Sequence, residues 1–379
     1  MMNKILLIAG SHLTGGAAKA TLNLAREFEE DGFEVKVAHM DYNRRNEFSF
    51  VGLRNSFLHK VLINLDRIVL GYVFASDRKE IFSLSIKRNV RLQNLIDWAD
   101  NIIVNFYGLG AGSLNQLEKT KTNISFIMRD DWFITGGCHY INSCDHFDSG
   151  CLSCPKVPSY MRSYVAKAKK RKAGLMSRDN FTTMSINTLH KSKVPGVSII
   201  NNTINSAFFT AEAVEKSSYI VASAINWKNP WKGYELLVQL ANSEEFKHRK
   251  FVIIGKGANH SDFKFSNVDL LGSVQLQNEY INLISRAKAF LLPSSEEAFG
   301  KVGCEAIALG TPVVSWEGTG SSQYLIHNRN SIMCPEYSLN SFKLCLAECL
   351  GKDWDFEQIR ISAMPFKTNL DKVKSSLSL

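Results

Sequence analysis

The stretch from Pro293 to Pro312, PSSEEAFGKVGCEAIALGTP, decides the fold prediction because it contains one helix between two strands. The apolar run Ala289–Leu292 precedes the helix, and the run Pro312–Trp316 follows it. Gly310 just past the helix and a proline two residues later are ordinary stop signals. Strand, helix and strand in this order predict a parallel sheet with helices on both faces.

Two glutamates in this stretch, Glu297 and Glu305, are separated by seven residues. Glu305 lies in a helix that is apolar nearly all round, which is typical of a buried helix. A buried carboxylate is costly without a partner, so a hydroxyl-bearing ligand such as a ribose is favoured over the ordinary solvated glutamate. Glu297 precedes the helix, where its carboxylate and nearby N–H groups would meet a sugar and a diphosphate together.

The same alternation of strand and helix runs through both halves of the 379-residue chain, a length that favours two domains. The other predicted strands are Ile5–Ala9, Glu34–Ala38, Ala99–Asn105, Ile124–Met128, Val197–Ile200, Tyr219–Ala222 and Phe251–Ile254. We expect an N-terminal Rossmann-like domain over residues 1–205, with a cysteine-rich insertion at about 136–155. A second Rossmann-like domain would cover 206–358, and a helical tail over 359–379 would pack back on the first domain.

Composition excludes several classes of protein. The formal charge is +9, from 45 basic and 36 acidic residues, too mild to indicate nucleic-acid binding. The first apolar run, Ile5–Ala9, is shorter than the core of a signal peptide, and the apolar stretch 61–75 is interrupted by Asp66 and Arg67. We therefore expect a cytoplasmic protein with reduced thiols.

The sequence of the loop Gly10–Ala17 resembles a phosphate-binding P-loop but does not match the motif, because Gly16 and Ala17 stand where that motif has Lys and Ser or Thr. Two readings stay open for this small-residue loop. It is either a plain strand-to-helix turn or a helix N-terminus that favours an anion.

Segments along nearly the whole chain, in the expected order, carry a resemblance to one family. They are Thr14–Ala17, Ile199–Asn205 with Phe208, Trp231–Gly233, Val252–Gly257, Leu292–Gly300, Glu305-Ala306 and Gly310–Val314. Together they resemble the retaining family 4 glycosyltransferases. This resemblance implies a GT-B fold, in which two Rossmann-like domains with parallel sheets face each other across a cleft.

The middle of the chain resembles a subgroup that builds bacterial surface polysaccharides such as colanic acid, capsule and O-antigen. The matching residues are Trp132, Thr135–Tyr140, Cys144, Gly150-Cys151 and Cys154-Pro155.

The resemblance also implies roles for individual residues. Glu297, Lys232 and Arg129 would form the catalytic set. In this reading Lys232 neutralises the leaving diphosphate, and Glu297 contacts the hydroxyls of the donor sugar. Glu305 would take the ribose hydroxyls. The implied donor-binding residues are Gly16, Lys228, Lys232, Glu297, Phe299, Gly300, Lys301, Val302 and Glu305. No cofactor is expected for catalysis.

Three positions depart from the family pattern. Trp227 stands where the family usually has Arg, with Lys228 beside it as a substitute; Arg129 replaces a histidine, and Gln323 replaces a late acidic residue. These changes suggest an altered sugar specificity or a loss of activity.

Four cysteines, Cys138, Cys144, Cys151 and Cys154, occur within seventeen residues. In a cytosolic chain this density suggests a structural zinc site, with His139 able to replace one ligand. Free thiols, or a disulfide formed in air, are the open alternatives. The remaining four cysteines are expected in the core.

Two basic regions are either solvated faces or a rim that rests on anionic lipid. One is the run Lys167, Lys169, Lys170, Arg171 and Lys172, and the other contains Arg44, Arg45 and Arg54 before the mixed segment 57–74. A membrane rim would suit an acceptor carried on a lipid diphosphate, with the protein peripheral on the inner face of the cell membrane.

The function expected from the resemblance is transfer of a hexosyl residue from a nucleoside diphosphate sugar to a lipid-linked oligosaccharide, with retention. A sugar-nucleotide epimerase on the same fold and a non-catalytic binding protein are the alternatives.

Overall fold

The computed structural model describes residues 3–9, 16–39, 50–53, 82–86, 88–107, 111–139, 141, 144, 146–178, 180–183, 198–199, 202–297, 299–367 and 370–377. The chain divides into two compact units, which we call unit 1 (residues 1–200 with 369–379) and unit 2 (residues 201–368).

The described strands are β1 (Lys4–Ile8), β2 (Glu34–His39), β3 (Phe50–Gly52), β4 (Asn101–Val104), β5 (Asn123–Met128), β6 (Asn180–Thr183), β7 (Ser198–Ile199), β8 (Ile220–Asn226), β9 (Phe251–Lys256), β10 (Val268–Gly272), β11 (Ala289–Leu292), β12 (Val313–Trp316) and β13 (Ser331–Cys334). The described α-helices are α1 (Gly16–Glu30), α2 (Val90–Trp98), α3 (Leu114–Lys119), α4 (Ser159–Arg178), α5 (Ala207–Thr210), α6 (Tyr234–Ala241), α7 (Gln277–Ser285), α8 (Lys301–Ala308), α9 (Leu339–Gly351), α10 (Phe356–Ala363) and α11 (Leu370–Leu377).

Unit 1 is built on a parallel seven-stranded sheet in the order β3-β2-β1-β4-β5-β6-β7. Strand β1 lies in the interior of this sheet, with Ile5 paired to Val35 on one side and to Asn101 on the other. Ile5, Leu7 and the other apolar residues of β1 are fully buried, as expected for a strand covered on both faces.

Unit 2 repeats this architecture with a parallel six-stranded sheet in the order β10-β9-β8-β11-β12-β13. Strands β11 and β12 are buried throughout, and α8 connects them. The predicted class, two α/β units with parallel sheets, is therefore confirmed.

The division between the units differs slightly from the predicted one. It falls after residue 200, five residues before the predicted boundary. Residues 359–366 pack within unit 2, where Ile359 and Phe366 are core residues, although the sequence assigned them to the tail. Only α11 packs on unit 1, where Val373 and Leu377 join its core and the Ser125 hydroxyl donates to the Leu377 carbonyl over 2.9 Å.

Within the described residues, no helix combines the length and the hydropathy that a membrane span needs.

Candidate functional site

The loop Pro293–Gly300 in unit 2 is held against the short turn that carries Lys232. The backbone N–H of Ser295 donates to the Trp231 carbonyl over 2.9 Å. Gly233 has a φ of 74°, and a Cβ at this position would lie 2.3 Å from the carbonyl oxygen of Pro293. Only glycine allows this backbone approach, which explains why a glycine follows the lysine.

This approach joins two predicted site residues in an ion pair. The Lys232 Nζ lies 2.5 Å from Oε1 of Glu297, and the side chains are 26% and 12% exposed. The Glu297 carbonyl accepts a hydrogen bond from the Gly320 N–H over 2.9 Å, which fixes the loop from the other side. A part-buried ammonium group with one carboxylate partner remains suited to an additional anion.

The helix α8 begins directly after this loop. Gly300 is its N-cap, with a φ of 74°, and its carbonyl accepts from the Tyr324 hydroxyl over 2.5 Å. The Phe299 side chain is 3% exposed and packs against Tyr324, so the site would use its backbone and not its ring. The N–H groups of the first helical turn, which starts with Lys301 and Val302, form a position that favours a phosphate.

Glu305 lies on α8 between the buried residues Cys304 and Ala306, and it is itself half-buried. Burial, and then the charge of the Glu305 carboxylate, raise the pKa of the Tyr280 hydroxyl well above its usual value. That hydroxyl also lies 3.2 Å from the hydroxyl of Ser223 on β8. Sequence reasoning missed Tyr280 and Ser223, because no spacing connects them to Glu305 and only the sheet topology brings them together.

Trp227 and Lys228 occupy different environments. Trp227 is buried, and its indole N–H donates to the Ile254 carbonyl over 3.0 Å. It is therefore a core residue that carries no charge into the site. Lys228 is exposed, and its aliphatic chain lies over Gly257, where a Cβ would meet its Cγ at 2.9 Å. Of these two residues, the charged one is therefore Lys228, which is exposed.

Two further predicted positions lie at the ends of short segments. Gly16 is the first residue of α1, and the preceding loop residues 10–15 lie outside the described residues. Gln323 ends a 3₁₀ turn, and its side-chain amide donates to the Gly320 carbonyl over 2.8 Å. Gln323 therefore supports the same glycine whose N–H binds the Glu297 carbonyl.

Arg129 lies in unit 1, directly after β5. Its Nε donates to the Asn105 side chain over 2.8 Å, and Asn105 in turn donates to the Thr21 hydroxyl. Burial lowers the pKa of Arg129 to about 10, so the guanidinium remains charged at neutral pH. The structure thus places a fixed cation at the carboxyl edge of the unit 1 sheet.

Next to Arg129, three polar side chains form a hydrogen-bonded row. The Asp130 Oδ2 lies 2.7 Å from Nδ1 of His139, and Nε2 of His139 lies 2.8 Å from the Ser83 hydroxyl. His139 is 1% exposed and Ser83 is 5% exposed, so the row is closed to substrates. These hydrogen bonds therefore connect the segment around residue 83 and the cysteine-rich insertion to the end of β5.

The described residues give the zinc prediction no support. Cys138, Cys144, Cys151 and Cys154 are free thiols, and the described residues contain no group of ligands that could hold a metal ion. Cys151 and Cys154 belong to a small apolar cluster with Val165, whereas Cys144 packs against the main core of unit 1. Both ring nitrogens of His139 have partners within unit 1. Burial also raises the pKa of Cys138 to about 12, which keeps it a thiol.

The basic run of α4 does not form one exposed face. Lys172 is 1% exposed, donates to the Trp132 carbonyl over 2.7 Å and lies over the Trp132 ring. Lys169 donates to the Phe147 carbonyl, and Arg171 pairs with Glu118 at 2.6 Å. Lys167 and Lys170 remain exposed. The other basic region, with Arg44, Arg45, Arg54 and segment 57–74, lies outside the described residues.

The fold of this chain is shared with proteins of known structure. The chain superposes on HepE of Anabaena, solved with UDP-glucose, with a TM-score of 0.63 and 14% identity, over 99% of this chain and all of that one. This likeness concerns the fold, which is that of the GT-B proteins.

Residues 210–356, nearly all of unit 2, match the family model "Glycosyl transferases group 1". This match confirms the predicted resemblance over unit 2. The putative colanic acid biosynthesis glycosyl transferase WcaC of Escherichia coli is 20% identical over 61% of each chain. An uncharacterized glycosyltransferase of Methanocaldococcus jannaschii is 23% identical over 33% of this chain and 36% of its own length. The chain thus spans from about a third to about three fifths of the relatives it matches.

Proposed function

We propose that the protein transfers a hexosyl residue from a nucleoside diphosphate sugar to an oligosaccharide acceptor, with retention, in the synthesis of a surface polysaccharide. The observation that carries this proposal is the Lys232–Glu297 pair at 2.5 Å, placed directly before the start of α8. A cation, a carboxylate and a helix N-terminus in one place match the diphosphate and the sugar hydroxyls of such a donor.

Each group would act on a different part of the donor. Lys232 and the first N–H groups of α8 would stabilise the negative charge that the diphosphate gains as the glycosidic bond breaks. Glu297 would orient the sugar through its hydroxyls, and Glu305 would hold the ribose. No side chain is assigned as a covalent nucleophile.

Two departures from the family pattern, Arg129 in unit 1 and Trp227 in unit 2, bear on this proposal. Arg129, fixed by Asn105, would offer a cation where the family has histidine, and we propose that it alters the choice of sugar. A non-catalytic binding protein is the second candidate, favoured by the observation that Trp227 is a buried core residue without charge.

The acceptor and the membrane form a further part of the proposal. We propose a lipid-linked acceptor and a peripheral contact with anionic lipid. Support comes from Tyr160, Lys167 and Lys170, which are all exposed and follow a helical spacing along one face of α4.

The test is a transfer assay with Glu305→Ala and Lys232→Met. We expect Lys232→Met to lower kcat by about a hundredfold or more, because it removes charge stabilisation from the leaving group. Lys343→Met is the matched control, since it breaks a surface Lys–Glu pair of 2.6 Å elsewhere in unit 2. Unchanged activity in both site variants removes the proposed roles. Nucleotide binding without any transferred product would favour the binding protein.

A further inference from the structure

Tyr337 follows β13, and its side chain reaches the loop Pro293–Gly300 that carries Glu297. Its hydroxyl donates to the Ser295 carbonyl over 2.8 Å, across 42 positions of the chain. The two segments meet because β11, β12 and β13 are parallel neighbours, so the residues that follow them lie at one edge of the sheet. Partial burial, and then the charge of Glu296, raise the pKa of Tyr337 to about 12. The hydroxyl therefore keeps its proton and donates at neutral pH.

The ring of Tyr337 is fixed in place, although 57% of the residue is exposed. It stacks on Trp316, with the ring centroids 4.5 Å apart and 21° between the planes. Trp316 is buried, packs edge to face on Phe342 and donates its indole N–H to the Pro293 carbonyl over 2.9 Å. A buried residue that is itself bonded to the loop thus sets the direction in which the Tyr337 hydroxyl points.

The tyrosine completes the hydrogen bonding of Ser295, a residue that lies between the two members of the ion pair. The Ser295 N–H donates to the Trp231 carbonyl over 2.9 Å, in the turn that carries Lys232. Ser295 is exposed, so water would otherwise compete for its carbonyl. With Tyr337 in place, both polar backbone groups of Ser295 have fixed partners. This anchor stands two residues before Glu297, whose carboxylate lies 2.5 Å from the Lys232 Nζ.

We propose that Tyr337 is a positioning residue, which holds the backbone of Ser295 so that the Glu297 carboxylate faces Lys232 and the sugar of the donor. This inference rests on the proposed function. Tyr337 acts through the loop and is assigned no contact with the donor. Loss of its hydroxyl therefore disturbs the alignment of Glu297 and leaves its charge unchanged.

The experiment compares Tyr337→Phe with the wild type, because phenylalanine keeps the stacked ring and removes only the hydroxyl. Transfer is measured with the donor that the wild type uses from a panel of UDP and GDP sugars. We expect kcat to fall about fivefold, the effect of one hydrogen bond of ordinary strength. Calorimetric binding of the matching monophosphate, UMP or GMP, should not change, because it lacks the sugar that Glu297 would contact.

A second arm asks whether the tyrosine acts through Glu297. In a Glu297→Gln background, Tyr337→Phe should lower kcat by less than about twofold, because the carboxylate that it aligns is absent.

Tyr219→Phe is the matched control. The Tyr219 hydroxyl also donates to a backbone carbonyl of unit 2, that of Leu283, over 2.6 Å. Its loss should lower the Tm and leave both kcat and monophosphate binding as in the wild type.

The outcomes separate this inference from the proposed function. An unchanged kcat in Tyr337→Phe would overturn the inference. Weaker binding of the monophosphate, or the same fall in kcat with Glu297→Gln as without it, would show a merely structural tyrosine and overturn it as well. A wild type that transfers sugar from no donor of the panel, or a Glu297→Gln variant with undiminished kcat, would overturn the proposed function and the inference together.

Discussion

Gly233→Ala tests how the site is assembled, because Gly233 lets the short turn that carries Lys232 approach the Pro293 carbonyl. Its φ of 74° costs an alanine about 1 kcal/mol. The new Cβ would stand 2.3 Å from that carbonyl oxygen, so backbone must shift, at a further cost of about 2 kcal/mol. The total of about 3 kcal/mol corresponds to a fall in Tm of about 10 °C for a unit of this size.

The shift should also separate Lys232 from Glu297, and we expect kcat to fall about a hundredfold. Gly272→Ala is the matched control. Its φ is 60° and nothing lies within 4 Å of its Cβ position, so it carries the conformational cost of about 1 kcal/mol alone. Thermal unfolding and a transfer assay measure both variants. If Gly233→Ala unfolds like Gly272→Ala and keeps its activity, the close approach does not assemble the site.

Other predictions concern unit 1. Burial lowers the pKa of Lys172 to about 7 from 10.5, so between pH 7 and 9 the unfolded chain binds the proton that the folded chain releases. The unfolding free energy from urea titrations should therefore rise with pH more steeply in the wild type than in Lys172→Met, and parallel pH curves would contradict this. A chelator should leave the Tm unchanged and metal analysis should find no equimolar zinc; an equimolar metal would reinstate the cysteine site. Lys167→Glu with Lys170→Glu should weaken binding to vesicles that contain anionic lipid and leave binding to neutral vesicles unchanged, whereas undiminished binding would exclude this face of α4.

The sequence predicts the central strands and helix α8 well, because these segments are apolar and bounded by glycine and proline. Ala289–Leu292 has the predicted bounds, and α8 ends two residues before Gly310. The strands β6, β10 and β13 escaped prediction, since they are polar or short, like Asn180–Thr183 with the sequence NFTT. Their strand structure comes from their neighbours in the sheet and not from local pattern.

The site itself was predictable only in part. The Lys232–Glu297 pair joins residues that the motifs had selected separately. Glu305 was interpreted as needing a partner, but Tyr280, whose pKa its charge helps to raise, lies on another helix and carries no sequence signal. The cysteines show the opposite case, because their density suggested a metal, whereas Cys151 and Cys154 lie in one apolar cluster and Cys144 packs against another.

The most direct test of the account is a crystal structure with UDP or GDP bound, whichever raises the Tm more. The account predicts the diphosphate within hydrogen-bond distance of Lys232 and the first turn of α8, and the ribose hydroxyls on Glu305. A nucleotide bound away from residues 293–312, or a ribose that does not contact Glu305, would contradict it.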